Sequence, residues 1–505
     1  MLSSKSIAIQ ERVMPVFVIN LFSLRGKMKI LHMSWLAFLI SFIVWFNHAP
    51  LMLMIQQDVG LTQLEVNIIL LLNVALTIPA RLLVGVLVDR YGARLSYSVL
   101  LAVCSLPCFL FALADSFAQL AWARFLLGGI GAGFVVGIRI IGDWFPSRQM
   151  GTAEGIYAGW GNCGSAVAAM LLPGLALYFG GENGWRFAIA LTGLLSLGFA
   201  GLYYVNVSNL PDEKHFLQRG PTAILEVSSI RDLFLYIFAI APLYGALSLL
   251  VWKLSRPEMA LLSDFWVVTT NLLIWSVFFY HAYKAVDLNA ERLNQPVAIV
   301  HRFKFNQVLV LGLLYLATFG SKLAVVSMLP IFFYQTFNAT QQITLVDAGL
   351  LAACFVLLNL VARPVGGWLS DRFGRKSTLT LYCAGLTLSY VLMSQISPNW
   401  PIALAVAVTL LCSVFLQGAE GAVFAVVPLV KRSMTGQIAG IVGAYGNAGT
   451  ILFLVILTFV PASSFFLILA LFCLLSLGAV VFLDEPKSVI TEIMPDGTLA
   501  VIELD

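Results

Sequence analysis

Gly85-Val86-Leu87-Val88-Asp89-Arg90-Tyr91-Gly92-Ala93-Arg94 ends one long apolar run and begins the next. Residues 367–376 repeat it as Gly367-Trp368-Leu369-Ser370-Asp371-Arg372-Phe373-Gly374-Arg375-Lys376, at an offset of 282 (371 less 89). Each copy follows an arginine inside an apolar run, Arg81 and Arg363, at the same offset. A second pair reads Gly155-Ile156-Tyr157-Ala158-Gly159-Trp160-Gly161-Asn162-Cys163-Gly164 and Gly440-Ile441-Val442-Gly443-Ala444-Tyr445-Gly446-Asn447-Ala448-Gly449, with its Asn residues 285 apart (447 less 162). One Asp-Arg turn, or one Asn in a Gly-rich run, says little. Loop, arginine and Gly-Asn run repeated at nearly one spacing describe an internal duplication.

The composition names the solvent of those runs. The chain has 505 residues, 60% hydrophobic and 11% charged, whereas a soluble chain carries about a quarter charged residues. Many apolar runs reach about 20 residues, enough to cross a hydrocarbon core about 30 Å thick as a helix. Barrel strands would alternate over about ten residues instead. In lipid the backbone must satisfy its own hydrogen bonds, so helices follow. The expected class is an all-α polytopic membrane protein.

Hydrophobic spans fall at 33–55, 66–88, 95–114, 119–142, 151–179, 184–206, 232–252, 259–281, 306–335, 347–369, 377–396, 400–428, 434–460 and 463–483, fourteen in all. The duplication matches the first six to the last six. The division expected is an N-terminal arm (1–32), a six-helix half (33–206), a linker with two extra spans (207–305), a second six-helix half (306–483) and an acidic tail (484–505). Basic residues collect in the arm, at Arg90 and Arg94, near Arg148, from Lys284 to Lys304, from Arg372 to Lys376, and at Lys431-Arg432. The alternate connections carry almost none, which puts both termini in the cytoplasm. An inserted pair of spans preserves that orientation for everything after it. Residues 13–24 are weakly apolar and precede Arg25, Lys27 and Lys29, which reads as a cytoplasmic arm rather than a cleavable signal.

Several function classes fall away. The seven Cys all lie in apolar segments and form no C-x-x-C, so they read as packing residues. There is no metal cluster, nucleophile triad or phosphate loop in the sequence, so neither an enzyme nor a metal or other cofactor is expected. A net charge of +4 belongs mainly to topology and does not point to nucleic acid. His48, in the first span, reads as a packed polar residue.

Arg81 and Arg363 carry the chemistry. An arginine inside a span is costly and usually functional. Its planar fork of donors suits planar oxyanions. The spans that carry them, 66–88 and 347–369, supply no acid of their own at membrane depth, so anion binding is favoured over ion pairing. Two such residues at equivalent places in two halves would face one another across a midplane cavity. In the Gly-Asn runs, Gly159, Gly161, Gly164, Gly443, Gly446 and Gly449 read first as helix-packing residues. The amides of Asn162 and Asn447 can bond a ligand or steady the arginines.

The G-x-x-x-D-R-x-G-x-R/K loop resembles the cytoplasmic signature of the major facilitator superfamily. That resemblance implies its fold, and a gating role for Asp89, Arg90, Asp371 and Arg372. The paired Gly-Asn runs and paired arginines resemble, more narrowly, the nitrate/nitrite porter family, nearest to cyanobacterial-type nitrate permeases. The resemblance covers about 33–206 and 306–483. It implies that Arg81 and Arg363 bind substrate and that Phe134, in Gly131-Ala132-Gly133-Phe134, stacks on it. It also implies that Tyr315 and Phe319, in Tyr315-Leu316-Ala317-Thr318-Phe319-Gly320, supply a hydroxyl and a second ring. Without the resemblance those aromatics would count as core.

The function expected is secondary active transport of nitrate or nitrite across the cell membrane by alternating access, as nitrate uptake with proton coupling. Nitrate/nitrite antiport is the near alternative, and a non-transporting nitrate sensor the more distant one. The partners are then nitrate, nitrite, protons and the bilayer, with a monomer expected. Uphill uptake against a negative membrane potential calls for more than one proton per nitrate. Glu420, in Leu416-Gln417-Gly418-Ala419-Glu420-Gly421, is the candidate coupling acid. Lys322, three residues past Phe319, can attract the anion or pair with Glu420. Arg139 and Asp143, spaced i and i+4, are expected to form an ion pair.

Overall fold

A computed structural model describes residues 19–180, 183–210, 224–257, 259, 261–294, 302–485, 489–493 and 499–503. Most of the N-terminal arm, including the apolar start of 13–24, lies outside the described residues, as do linker stretches 211–223 and 295–301 and parts of the tail.

Among the described residues, thirteen helical stretches are long and apolar enough to cross a membrane. One of them, Gln63–Ala112, is 50 residues long, about 75 Å if straight. It is two spans joined at Gly92, whose φ of 80° and ψ of 164° break the helix. Dividing it there restores fourteen crossings. The equivalent Gly374 has φ 95°. Both motif glycines thus occupy a left-handed backbone that other residues rarely adopt, and each turns the chain straight back into the membrane. The first helix, Gly26–Phe46, starts inside the expected arm rather than at 33.

The halves pack crosswise. The Arg363 helix (Asn359–Phe373) lies against the Asn162 helix (Ser147–Asn162), and the Arg81 helix (Thr77–Ala112) lies against the Asn447 helix (Thr435–Leu457). Each contact joins one half to the other.

Of the inserted pair, Ile230–Ser255 packs against the Asn447 helix, where the Tyr445 hydroxyl donates to the Ala239 carbonyl at 2.6 Å. Its partner, Asp264–Leu293, is held to it by His281, whose two ring nitrogens lie 2.7 Å and 3.1 Å from the hydroxyls of Tyr236 and Tyr244. That second helix is exposed over nearly its whole length, as a lipid-facing helix must be. An apolar crevice of about 1350 Å³, lined by Leu72, Trp122, Phe125, Tyr244 and Trp266 among others, lies between the pair and the N-terminal half. None of the predicted anion-site residues lines it.

The tail departs from the all-helix pattern. Strands β1 (Val489–Ile493) and β2 (Leu499–Glu503) pair antiparallel, with Val489 opposite Glu503. Both are rich in β-branched residues, which suit a pleated ribbon.

Candidate functional site

The Gly131 to Phe134 stretch begins as a short 3-10 turn, Gly128–Ala132, inside its span. That tighter winding leaves carbonyls free for side chains. Thr77 Oγ1 donates to the Gly128 carbonyl at 2.9 Å and Arg81 Nε to the Gly131 carbonyl at 3.4 Å. Phe134 then opens the helix Gly133–Trp144. In the other half, Leu316–Gly320 is a π-helical turn between Phe305–Tyr315 and Ser321–Gln341. Wide turns of this kind recur at functional sites. Here the turn stacks Tyr315 on Phe319 at 5.1 Å.

Around these rings the predicted residues converge. Phe134 lies parallel to Tyr315 at 6.2 Å, so Phe134, Tyr315 and Phe319 form one column of rings. The guanidinium carbons of Arg81 and Arg363 lie 5.3 Å and 5.4 Å from the Phe134 centroid. Arg81 also lies 5.4 Å from Phe319, and the Lys322 amine lies 5.0 Å from that ring. Phe424, which the sequence reading passed over, meets Phe134 and Tyr315 edge-on at 4.6 Å and 4.7 Å. Only its place four residues past Glu420 could have drawn attention to it. All these side chains are buried, so the site is closed to solvent in this conformation.

The two arginines are held differently. Arg81 Nη1 donates to the Gly443 carbonyl at 2.5 Å. With its amide turned so that Oδ1 faces the guanidinium, Asn447 accepts from Nη1 and Nε of Arg81 at 3.3 Å each. Arg363 instead donates through Nη1 to Glu420 Oε2 at 2.6 Å, and Lys322 Nζ reaches the same oxygen at 2.8 Å. An acid at membrane depth therefore does pair with an arginine, contrary to the expectation from the arginines' own spans, because the 400–428 span supplies it. The pairing uses only part of the fork. Arg363 Nε and Nη2 are buried with no hydrogen-bond partner among the described residues, and so is Asn162 Nδ2. Buried donors in native proteins are nearly always bonded. The Nε and Nη2 groups of Arg363 are therefore left for an acceptor other than Glu420.

The repeated glycines divide by half. A Cβ on Gly159 or Gly164 would meet backbone carbonyls of Asn359 and Leu39, and one on Gly161 would meet Phe38. On Gly443 it would meet Arg81, on Gly446 Tyr315 and Phe319, and on Gly449 the Leu316 carbonyl. The N-terminal run is a packing surface. Two glycines of the C-terminal run also make room for the arginine and the rings.

The acids of the repeated loops bond backbone N–H groups on helices of the opposite half. Asp89 accepts from the backbone N–H groups of Gly436 and Gln437 at 2.9 Å and 2.8 Å. Asp371 accepts from those of Gly151 and Thr152 at 2.9 Å and 2.7 Å. Gly436 and Gln437 lie in the first turn of their helix, whose N–H groups lack intrahelical acceptors and favour negative charge, whereas Gly151 and Thr152 are the fifth and sixth residues of Ser147–Asn162, so Asp371 bonds that helix beyond its first turn. The basic partners are Arg139 for Asp89, at 2.9 Å, and Arg375 for Asp371, at 3.3 Å. Arg139 also reaches Asp143 at 3.0 Å, the expected i,i+4 pair. Arg90 and Arg372 take no part in these contacts; both are exposed and lie over neighbouring aromatic rings. This end of the bundle is latched shut by two reciprocal carboxylate–backbone contacts. Hydrogen bonds to a charged group contribute about 1.5–3 kcal/mol. Asp371→Asn is therefore expected to lower transport several-fold with substrate affinity within about twofold of wild type, read from initial rate against concentration.

A further buried arginine, Arg124, escaped the sequence reading although it sits inside the 119–142 run. It donates to the Trp45 carbonyl and to the side-chain oxygens of Asn47 and Asn73. All three partners are neutral and belong to its own half, so it braces that half.

A family model described as Major Facilitator Superfamily matches residues 34–454 and 311–497. The nitrate/nitrite transporter NrtP of Nostoc punctiforme is 41% identical over 478 residues, 93% of this chain and 94% of that protein. A probable nitrate/nitrite antiporter, NarK1 of Thermus thermophilus, is 26% identical, covering 84% of this chain and 83% of that protein. Among solved structures, the major facilitator transporter FucP in its outward conformation superposes with a TM-score of 0.62 at 11% identity, over 91% of this chain and 100% of that one. That likeness concerns the fold alone. The chain belongs to the major facilitator superfamily and, within it, to the nitrate/nitrite porter family. These relatives are named as transporters or antiporters, which gives the sensor alternative no support.

Proposed function

We propose that this family member is a secondary active transporter that carries nitrate and nitrite across the cell membrane by alternating access, in the direction of uptake and driven by protons. The observation that carries the substrate is the open edge of Arg363. Its Nε and Nη2 are buried without a hydrogen-bond partner among the described residues, while its guanidinium faces the same ring as that of Arg81. The Nε–Nη2 edge is the part of the fork that takes a planar oxyanion in two parallel hydrogen bonds. A flat, monovalent anion fits between two arginines and an aromatic face. Asn162 offers a further donor, and Asn447 fixes Arg81. The latched end is assigned to the cytoplasm, with both chain termini, and the unit of transport is one chain.

Charge supports the direction of the argument. Arg81, Arg363 and Lys322 face one carboxylate, Glu420. Without an anion the site holds two positive charges in excess, and buried charge that lacks a partner is costly. An incoming nitrate halves that excess. The same imbalance favours the second reading, nitrate/nitrite exchange, since a site that returns empty must carry its full charge.

Vesicles containing the full chain separate the two. With acid outside and no internal anion, labelled nitrate is expected to accumulate. Strict dependence on internal nitrite would establish exchange in its place. Nitrite is expected to compete at modest excess and a monocarboxylate to fail. The reverse order would remove nitrate as the substrate.

A further inference from the structure

Glu154 is the one carboxylic acid among the described residues with both oxygens buried and no hydrogen-bond partner for either. It is 1% exposed, on the Asn162 helix, and none of the functional roles above uses it. Its neighbours define a seam. A Cβ on Gly155 would meet the Arg363 carbonyl at 2.6 Å, and one on Gly151 the Gly367 carbonyl at 2.5 Å. Gly151, Glu154 and Gly155 lie within one helical turn of each other, along the side that packs on the Arg363 helix. Glu154 thus stands one turn inward from the place where Asp371 bonds Gly151 and Thr152.

The charged groups that act on Glu154 are Arg363 and Asp371, from the opposite helix, and it in turn acts on Tyr157 of its own helix. Other charges on the helices packed around it are engaged elsewhere. Glu420 bonds Arg363 and Lys322, and Arg139 bonds Asp89 and Asp143. On the first helix, Lys27 bonds Gln149 and His32 bonds the Leu21 carbonyl. Asp371 is occupied by the two backbone N–H groups and by Arg375. Among the described residues, no cation or donor is therefore in bonding contact with the Glu154 carboxyl.

An ionised carboxylate buried without a bonded partner costs several kcal/mol or more. The packing seen here suits the neutral acid. The same carboxyl sits on the surface that must separate when the latched end opens, and separation would bring water to it. We propose that Glu154 carries the coupled proton: it is loaded as the acid while the halves are closed at the latched end, and it releases the proton to that side when the Asn162 and Arg363 helices part. This rests on the reading of the protein as a proton-driven nitrate transporter. On release, the O–H bond breaks, the proton passes to water on the latched side, and the electron pair stays on the carboxylate. The charge left behind compensates Arg363 after nitrate departs, so the emptied site returns with less excess charge. Reprotonation from the opposite side restores the starting state. One proton carried with one nitrate, fewer than the sequence reading called for, is a neutral step that the membrane potential does not oppose and that a pH gradient alone can drive. Glu420, already bonded by two cations in this closed state, then acts as their counter-ion rather than as the proton carrier.

The test uses the full chain in vesicles with two readouts: nitrate accumulation on an imposed pH gradient, and nitrate counterflow without one. Glu154→Gln keeps the shape but cannot release a proton. It is expected to lose accumulation at least tenfold while counterflow stays within threefold of wild type. Glu154→Asp is expected to keep both, with the pH profile of accumulation displaced. Accumulation by Glu154→Gln within threefold of wild type would overturn the proposal. Loss of counterflow and accumulation together in both variants would also overturn it, by showing a structural role. If wild type itself fails to accumulate nitrate on the pH gradient, the proton-driven reading falls first, and the wild-type arm identifies that case.

Discussion

Nitrate uptake by Arg81→Lys and by Arg363→Lys is expected to fall about a hundredfold or more, with the protein still inserted in the membrane. Lysine preserves the charge and removes the fork. At Arg363 the change deletes the two-donor edge, Nε and Nη2, that no described residue bonds. At Arg81 it deletes a three-way hold on Gly131, Gly443 and Asn447, which fixes the guanidinium near both Phe134 and Phe319. Each charge-assisted hydrogen bond contributes about 1.5–3 kcal/mol, and about 1.4 kcal/mol is a factor of ten in binding. Two such bonds give the hundredfold. Arg372→Lys is the control: that side chain is exposed at the latched end and is expected to transport normally. Near-normal uptake by either site variant would sink the assignment of the site.

Gly367→Ala is expected to reduce transport more than tenfold by keeping the latched end from closing. A Cβ on Gly367 would lie 1.8 Å from the Gly151 carbonyl oxygen and 2.3 Å from its carbon. Both are backbone atoms, which no rotamer change can move aside. The helices would have to separate at the point where Asp371, four residues on, bonds Gly151 and Thr152. Overpacking costs about 1–3 kcal/mol, and a bias of that size shifts a two-state equilibrium about 5- to 150-fold. Nitrate binding, measured as a thermal shift of the purified protein, should be weakened less than transport. Gly478→Ala is the matched control, since a Cβ there meets nothing within 4 Å. Uptake by Gly367→Ala within threefold of wild type would show that the seam can yield.

The two changes mark where sequence reading succeeded and where it stopped. Arg81 and Arg363 stood out because a charge in an apolar run is conspicuous and because each recurred at the offset of its loop. Phe134, Tyr315 and Phe319 had no such mark among 36 Phe and 15 Tyr, and only the family resemblance selected them. Lys322 and Glu420 were visible as charges, but their shared bond to Arg363 was not. It depends on how three helices are rotated about their axes, and apolar periodicity is too weak in all-apolar spans to fix rotation. Glu154 was just as conspicuous by residue type and was overlooked beside the Gly-Asn run that follows it. Arg90 and Arg372, read as gating residues with their acids, turned outward and left the backbone contacts to Asp89 and Asp371.

The sequence alone determined the membrane fold, the duplication and the two arginines. Each follows from a local property: the length of an apolar run, a repeated spacing, or an ionisable residue where water is absent. Only the tertiary structure decided what each charge meets. Asn447 secures Arg81 while Asn162 keeps an open donor; Arg363 yields one nitrogen to Glu420 and keeps an edge free; Glu154 is buried with nothing bonded to it. The repeated Asn and Arg residues are equivalent in sequence and unequal in contact, because the two halves present different neighbours to them. In a low-dielectric interior those neighbours decide whether a charge is paired, open to a ligand, or held neutral.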